Sequence, residues 1–336
     1  MRAVRLEGHG GNERLALSDV ARPAPKDRQL LVRVHAASVN PIDWKVCEGY
    51  FPLLPGQRMP MIPGSDFSGV VEAAGKAVQG FAPGDEVFGL LGGGVGHTFA
   101  EYVAAPEKLV AAKPAALSHA QAAALPLAGV TALTGLKRVI GLQRGQRLFV
   151  NGGSGGVGSI AVQYARHVGA EVIASCSSDN ADWVRELGAA QVVDYRSHNP
   201  AEVLEGLDAV FDTIGNLHAD DYFACLKRGG VFATTGTGGR SMEQLAERHG
   251  KRLWLMAGLA DVMKLNLRGR MRHGVKVGMV LAQPRRAYLE ELATLAEQGV
   301  IQPRIDRSFA LEQVPEAFAA SQTGRTRGKL IIEVGA

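Results

Sequence analysis

A run of glycines at residues 151–158 has the spacing that suits the binding of a phosphate group. The run reads NGGSGGVG and holds the pattern G-x-G-x-x-G at Gly153, Gly155 and Gly158. An apolar strand pattern, RLFV, precedes it and a helical pattern, SIAVQYARHVGA, follows it, which is the context that the glycine pattern requires. The first glycine then permits a tight turn, the second lets the backbone approach a pyrophosphate, and the third lets the helix pack on the strand.

The strand, loop and helix together predict a nicotinamide dinucleotide site. The N-terminus of the helix supplies N–H donors to the anion. The alternative is a glycine turn with a purely structural role, which would not need those donors. Further predicted contacts in the same loop are Ser154, Gly156 and Val157.

The end of the next strand, EVIAS, distinguishes NADH from NADPH. An NAD site carries Asp or Glu about 20 residues beyond the glycines to bind the ribose 2′-hydroxyl. Residues 175–178 read SCSS instead, so no carboxylate would repel a 2′-phosphate there. The hydroxyls available at this position belong to Ser175, Ser177 and Ser178. The carboxylate of Asp179 disfavours a 2′-phosphate, whereas Tyr195 and Arg196 after the third strand are candidates to contact that phosphate. The sequence therefore favours NADPH.

The elements that would position this loop change in character along the chain. Residues 1–113 read as short alternating strands separated by Gly and Pro turns, which indicates a β-barrel-like unit. After Leu117, helical patterns alternate with short apolar strands, which implies βαβ units in a parallel sheet. The expected fold class is therefore α/β with a separate all-β unit before it.

The charge of the chain is concentrated in one segment. The net charge is +4, yet residues 240–276 hold nine Lys or Arg and three Asp or Glu, so the rest of the chain is slightly acidic. The pattern predicts two amphipathic helices in this segment. A basic patch suits nucleic acid or an anionic membrane. The interpretation preferred from sequence is a solvated helical face that caps a cleft or packs in a dimer.

Cysteine usage and hydropathy bear on the compartment. The three cysteines, Cys47, Cys176 and Cys225, form no C-x-x-C pair, which argues against a disulfide framework and favours a reducing compartment. No signal-peptide core begins the sequence. The uncharged stretch at residues 114–136 is rich in Ala and Gly and is interpreted as a buried helical connection. These features predict a cytoplasmic protein.

Seven motifs are spread along the chain: NPIDWKVCEGYFP, PGSDFSGVVEAAG, PGDEVFG, LPLAGVTAL, NGGSGGVGSIAVQYA, RELGA and GKLIIEV. Together they resemble the medium-chain dehydrogenase/reductase superfamily, specifically its zinc-free branch of NADPH:quinone reductases and alkenal reductases. The resemblance implies a GroES-like β-barrel catalytic domain at residues 1–120, to which residues 302–336 return. It also implies a Rossmann NADP-binding domain with a doubly wound parallel sheet at residues 121–301.

The resemblance also bears on metal binding. Zinc alcohol dehydrogenases of this superfamily carry a Cys and a His at the positions matched here by Asn40 and Ser65, and a four-cysteine lobe that this chain lacks. Tetrahedral zinc sites are built from several His, Cys or carboxylate ligands. Asp43 and Asp66 remain nearby but cannot complete such a shell, so no metal is expected.

The resemblance assigns roles to further residues. Asn40 is implied to lie beside the nicotinamide, Lys45 to donate to a developing oxyanion or hold the cofactor ribose, and Tyr50 to be a second donor. The alternatives are a turn residue, an exposed cation and a pocket wall, respectively. His97 is interpreted as a loop residue. The remaining cofactor contacts expected are Thr131 and the strand-end residues Ile214, Gly215, Thr235, Gly236 and Thr237.

The activity implied is transfer of hydride from NADPH to a quinone or an α,β-unsaturated carbonyl, since such acceptors need no Lewis acid. One alternative is a zinc-free alcohol or aldehyde dehydrogenase. Another is an NADPH-binding protein without turnover, which would have a structural role or bind RNA through residues 240–276. The expected partner is the small acceptor molecule, with neither nucleic acid nor membrane, and a homodimer is compatible with the resemblance.

Overall fold

The chain leaves one structural unit for a second and then returns to the first. The computed structural model describes residues 1–52, 58–92 and 94–335. The first unit contains residues 1–130 and 284–336, and the second contains residues 131–283.

The bounds of the elements in the described residues are as follows. The strands are β1 (Arg2–Leu6), β2 (Leu15–Asp19), β3 (Gln29–Val39), β4 (Asp66–Ala74), β5 (Glu86–Leu90), β6 (Tyr102–Pro106), β7 (Val110–Ala112), β8 (Arg147–Asn151), β9 (Glu171–Cys176), β10 (Gln191–Asp194), β11 (Leu207–Asp212), β12 (Leu226–Thr234), β13 (Lys276–Met279), β14 (Ile305–Ala310) and β15 (Lys329–Glu333). The α-helices are α1 (Pro41–Cys47), α2 (His119–Ala123), α3 (Pro126–Leu133), α4 (Gly156–Val168), α5 (Ala181–Leu187), α6 (Pro200–Val203), α7 (Ala219–Tyr222), α8 (Met242–His249), α9 (Trp254–Arg272), α10 (Arg286–Glu297) and α11 (Val314–Gln322). Short 3₁₀ turns lie at Asn12–Arg14, Glu107–Leu109, Ser178–Asn180 and Leu311–Gln313, and a π-helical segment, Thr134–Ile140, follows α3.

The two units meet at residues 130 and 131 and at residues 283 and 284, and the domain boundaries implied by the resemblance, residues 120 and 302, stay a prediction. Helix α10 packs with the first unit, where Leu292 lies so close to Gly129 that a Cβ on that glycine would come within 2.6 Å of it. The Glu297 carboxylate also accepts a hydrogen bond from the backbone N–H of Ala115. These contacts assign α10 to the first unit.

The first unit is built on a seven-stranded sheet in the order β14-β15-β3-β4-β5-β7, with β6 also paired to β3. The last strand, β15, returns to pair antiparallel with β3, and Leu330 lies opposite Val39 in that register. Lys329, the first residue of β15, is thereby carried to the end of β3 and to the start of α1.

The second unit is built on a six-stranded parallel sheet in the order β10-β9-β8-β11-β12-β13. Leu148, Phe149 and Val150 of β8 are fully buried, as expected for a strand covered on both faces. The strand order reverses between β8 and β11, so the loops after these two strands meet at the switch point where such sheets bind ligands. The α/β fold class, with a GroES-like unit and a doubly wound sheet, is confirmed.

Two helical segments follow the sequence pattern closely. Residues 114–136 form α2 and α3 and the start of the π-helical segment, and Leu125 between the helices is fully buried. Residues 240–276 contain the two amphipathic helices α8 and α9, as predicted. Within the part of the chain that the structure describes, no helix combines the length and the apolarity needed to cross a bilayer.

Candidate active site

The glycine loop of the second unit begins one residue earlier than predicted. Gly152, directly after β8, has a φ of +80°, whereas Gly153 lies outside the left-handed region. The prediction that Gly153 permits the tight turn was therefore wrong: Gly152 makes the turn. Gly153 is required for close packing instead, because a Cβ there would lie 2.8 Å from the Ala174 Cβ on β9. Its N–H donates to the Ser175 carbonyl at 2.8 Å.

The two remaining glycines of the pattern serve different purposes. A Cβ on Gly158 would lie 2.0 Å from the Gly152 carbonyl oxygen, so this glycine lets α4 pack against the loop. A Cβ on Gly155 would meet only that same oxygen, at 3.4 Å, and its φ of −82° and ψ of 175° suit any residue. The fold itself thus does not require glycine at position 155, which leaves open space before the first turn of α4. The N–H groups at the start of a helix are donors of the kind that bind anions.

A buried network supports the loop from below. The Ser175 hydroxyl donates to Asn151 Oδ1 at 2.8 Å and accepts from the Gly152 N–H at 3.0 Å. Asn151 Nδ2 in turn donates to Asp212 Oδ1 at 2.9 Å and to Asn216 Oδ1 at 2.9 Å. Ser175, which the sequence analysis assigned to the cofactor, is only 1% exposed and has its hydroxyl engaged in holding the loop.

Asp212 organises the second loop at the switch point, and sequence reasoning missed it. It is fully buried at the end of β11, and its carboxylate accepts from the backbone N–H groups of Gly215 and Leu217. Thr234 Oγ1 also donates to it, at 2.9 Å. The available signal was an acidic residue closing the apolar strand LDAVFD, directly before a predicted contact loop.

The other predicted contacts of the second unit lie around these loops. Ile214 is 59% exposed, whereas Gly215 and Gly236 approach each other so closely that a Cβ on either would lie within 3 Å of the other's backbone. The Thr235 N–H donates to the Asp212 carbonyl at 3.0 Å. Thr131 lies in α3 and Thr237 follows β12, and both are largely buried. The structure thus brings Ile214, Gly215, Thr235 and Gly236 together.

The end of β9 carries the polar groups that are expected to contact the adenosine ribose. Asn180 Nδ2 donates to Ser177 Oγ at 3.1 Å and to Ser154 Oγ at 3.5 Å, so these three polar side chains lie together. The Arg196 guanidinium lies 3.6 Å from the Asp179 carboxylate and is half-exposed. Ser178 and Tyr195 are exposed beside them. Asp179 is therefore paired with a cation, which reduces its capacity to repel a phosphate.

In the first unit, Asn40 begins a cluster of buried polar residues. Asn40 precedes α1, and its N–H donates to Asp43 Oδ2 at 2.8 Å, which caps the helix. Asp43 Oδ1 accepts from the Ser65 hydroxyl at 2.7 Å, and Ser65 Oγ accepts from the Gly94 N–H at 2.7 Å. Burial raises the pKa of Asp43 to about 7. The hydrogen bonds that Asp43 accepts from Ser65 and Asn40 oppose that rise.

A buried ammonium lies at the centre of this cluster. Lys329 Nζ donates to Asn40 Oδ1 at 2.5 Å and to the Val39 carbonyl at 2.9 Å, and it lies 3.8 Å from Asp66 Oδ2. Asp66 also accepts from Asn40 Nδ2 at 2.9 Å and from the Ser38 hydroxyl at 2.7 Å. Burial lowers the pKa of Lys329 and raises that of Asp66, and each group opposes the shift of the other. Sequence reasoning missed Lys329 entirely.

The cluster does not fit a zinc ion. Asn40 and Ser65 have their polar atoms engaged in hydrogen bonds, and the ammonium of Lys329 already supplies the positive charge beside Asp66. A metal ion at this position would be repelled by that ammonium and would find neither thiolate nor imidazole. Across residues 1–52, 58–92 and 94–335, no three His, Cys, Asp or Glu side chains are grouped to hold a metal.

Of the two predicted donors of the first unit, Lys45 lies in α1 and Tyr50 lies shortly after it. Lys45 is partly exposed on that helix, with its ammonium 5.3 Å from the centre of the Trp44 ring. Tyr50 follows the helix, and its N–H donates to the Lys45 carbonyl at 3.0 Å. His97 is an exposed loop residue with a φ of +61°. Asn40 itself is 4% exposed, and both ends of its amide are held within the cluster.

Comparison with known proteins agrees with this architecture. The family described as alcohol dehydrogenase GroES-like domain matches residues 26–115, and that described as zinc-binding dehydrogenase matches residues 187–332. A mitochondrial NAD(P)H oxidoreductase of Mus musculus is 34% identical over 331 residues, covering 91% of this chain and 82% of that protein. The 2-methylene-furan-3-one reductase of Solanum lycopersicum is 34% identical over 344 residues, covering 99% and 79%. The solved quinone oxidoreductase of Coxiella burnetii superposes with a TM-score of 0.84 at 29% identity, covering 100% and 99%.

The two-unit fold and the relatives support an oxidoreductase with a GroES-like unit and a Rossmann unit. The chain belongs to the medium-chain dehydrogenase/reductase superfamily, in the branch of quinone oxidoreductases and alkenal reductases. The name of the mouse relative describes it as mitochondrial. The cytoplasmic location and the homodimer expected for this chain stay predictions.

Proposed function

We propose that the protein is an NADPH-dependent, metal-independent reductase of quinones or α,β-unsaturated carbonyls. The observation that carries the proposal is the Lys329 ammonium, held between Asn40 and Asp66 where a zinc enzyme would need ligands. An alcohol is hard to oxidise without a Lewis acid, whereas an electron-poor quinone or enone accepts hydride without one. The names of the tomato and Coxiella relatives support this class of acceptor.

Residues of the chain would bind the acceptor and stabilise the charge that develops on it. Bound NADPH supplies the hydride, and the acceptor oxygen becomes an enolate or phenolate that then takes up a proton. Lys45 and Tyr50 are proposed to donate hydrogen bonds to that oxygen, and donors placed at a developing oxyanion commonly account for a large share of the rate. Asn40, whose amide is held by Asp66 and Lys329, is proposed to form a rigid wall beside the nicotinamide.

The reaction class is tested with an acceptor panel. The purified protein should oxidise NADPH when quinones, enones or enals are added, and it should not reduce NADP⁺ when simple alcohols are added.

The role of Lys45 is tested with a variant. Lys45→Ala should lower kcat about 100-fold, because one oxyanion donor is lost. Lys108→Ala, which removes an exposed lysine elsewhere in the first unit, is the matched control. Exclusive oxidation of alcohols would reject the class, and unchanged kcat and KM in Lys45→Ala would reject its role.

The preference for NADPH is proposed to depend on the end of β9. Ser177 with its partner Asn180 and the Arg196 guanidinium near Asp179 offer donors to a 2′-phosphate. The carboxylate of Asp194, the last residue of β10, accepts a hydrogen bond from the Arg196 N–H at 3.0 Å. A guanidinium forms stronger hydrogen bonds with a phosphate than a neutral donor does, which would favour the phosphorylated cofactor.

Removing the guanidinium should shift the cofactor preference. Arg196→Ala is expected to raise the KM for NADPH about tenfold and to leave the KM for NADH unchanged, because hydrogen bonds to a charged group contribute about 1.5 kcal/mol or more. Arg185→Ala is the control, since Arg185 is also half-exposed and paired with an aspartate, Asp182, in the same unit. Steady-state kinetics with both cofactors measures the effect. An equal rise for NADPH and NADH would show that Arg196 does not contact the 2′-phosphate.

A further inference from the structure

Helix α9 leaves an apolar stripe on the face opposite to its buried one. Its buried residues are Trp254, Gly258, Val262, Leu265 and Gly269. The α9 stripe, defined here as Met256, Met263, Leu267 and Met271, is 65%, 72%, 61% and 77% exposed, respectively. At 3.6 residues per turn, the four side chains fall within an arc of about 80°. They form a continuous row along the length of the helix.

Cations flank both long sides of the α9 stripe. Arg270 lies on one side by helical position and Lys264 on the other, and Arg252 lies in the turn that precedes the helix. Arg268, beyond Lys264, is paired with the Asp220 carboxylate at 2.6 Å. The single acidic residue of α9, Asp261, is turned away from the stripe and paired with the Arg240 guanidinium at 2.7 Å. The exposed face of α9 is therefore apolar along its centre and positive along its edges.

We propose that the α9 stripe docks the protein on the surface of an anionic lipid bilayer. Methionine and leucine side chains would enter the boundary between headgroups and acyl chains while the flanking cations contact lipid phosphates and carboxylates, as interfacial amphipathic helices do. The docking requires an exposed apolar row with positive edges, which is what α9 presents.

The charge distribution favours a bilayer over the other occupants. A second copy of the chain would bring two identical cationic faces together in a self-complementary contact, which like-charge repulsion opposes. Nucleic acid would be attracted by the cations, but four exposed apolar side chains would then lie against its phosphates. An anionic bilayer satisfies both the apolar row and its positive edges.

Co-flotation with vesicles tests the docking. The full chain is mixed with vesicles of phosphatidylcholine alone or of phosphatidylcholine with phosphatidylserine, and the fraction that floats is measured at low and high salt. We expect flotation with the anionic vesicles, weaker flotation at high salt, and little with the neutral ones. No flotation with phosphatidylserine vesicles, or equal flotation with both kinds at all salt concentrations, would overturn the proposal.

Matched variants locate the contact. Met263→Ser combined with Leu267→Ser should weaken vesicle affinity about tenfold or more for each side chain lost from the boundary. Leu17→Ser combined with Val203→Ser removes two exposed apolar side chains elsewhere and should float like the wild type. Lys264→Gln and Arg252→Gln should each weaken affinity about fivefold, whereas Lys108→Gln should not.

Two results with these variants would contradict the proposal. The first is wild-type flotation of the Met263→Ser, Leu267→Ser chain after far-UV circular dichroism has shown that it is folded. The second is a wild-type dimer in solution that this double variant converts to a monomer, which would assign the stripe to a second copy. Either result leaves the acceptor panel, and thus the proposed reductase activity, unaffected.

Discussion

Lys329→Met should lower the free energy of unfolding by about 3–5 kcal/mol near neutral pH, because it leaves a buried carboxylate without its cation. Asp66 is fully buried, and the ammonium of Lys329 opposes the rise that burial causes in the pKa of this carboxyl. Without that ammonium, the pKa of Asp66 in the folded state moves further above its unfolded value. A carboxyl whose pKa is raised in the folded state makes its full contribution to the free energy of unfolding at pH values below the unfolded pKa. That contribution is lost as the pH rises through the folded pKa. The defect should therefore be small in acid and grow towards neutral pH in urea unfolding.

An exposed ion pair provides the control for this prediction. Lys227 Nζ lies 2.9 Å from Asp208 Oδ2, a shorter distance than that between Lys329 and Asp66, but the Lys227 side chain is 51% exposed. Lys227→Met should therefore cost less than about 1 kcal/mol. Asp66→Asn introduced together with Lys329→Met should recover at least half of the loss, since the uncompensated charge is gone. Equal losses in the two lysine variants, or no recovery in the double variant, would show that the buried charge is not the cause.

Patterns local in sequence predicted the strand, the glycine loop and the helix of the candidate nucleotide site well. Gly153, Gly155 and Gly158 follow a strand and open a helix as expected, because a few consecutive residues determine a turn and a helix start. The error of one residue at the tight turn has a local cause: the pattern does not say which of two adjacent glycines has the positive φ. Gly152 does, because the chain turns immediately after the last residue of β8.

The contacts that the sequence could not predict join distant parts of the chain. Lys329 meets Asn40 only because β15 pairs with β3 in one register, and the pattern GKLIIEV indicates a strand without saying that its lysine is buried. The Asp212 carboxylate similarly accepts a hydrogen bond from the Asn151 side chain, which lies on the neighbouring strand of the sheet. A polar residue at a strand end is usually solvated, so only the neighbours show that these two are buried and engaged.

The cofactor loop gives the second large prediction, from two glycines three residues apart. Gly155→Ala should weaken NADPH binding at least about 100-fold, because its methyl group enters the space proposed for the pyrophosphate. Its effect on the protein without cofactor should be absent or slightly stabilising, by about 0.4–1 kcal/mol, since the conformation at position 155 suits alanine. Gly158→Ala should instead lower the free energy of unfolding by about 1–3 kcal/mol, because its Cβ overlaps the Gly152 carbonyl.

Measuring both properties separates a ligand-binding glycine from a packing glycine. Urea unfolding without cofactor reports the cost to the fold, and quenching of protein fluorescence by NADPH reports its dissociation constant. Gly8→Ala is the control, since a Cβ there meets no atom within 4 Å and the position lies in the first unit. If Gly155→Ala bound NADPH as tightly as the wild type, the open space before α4 would not be the pyrophosphate site. The glycine pattern would then be explained by packing at Gly153 and Gly158 alone, and the cofactor would have to bind elsewhere on the sheet.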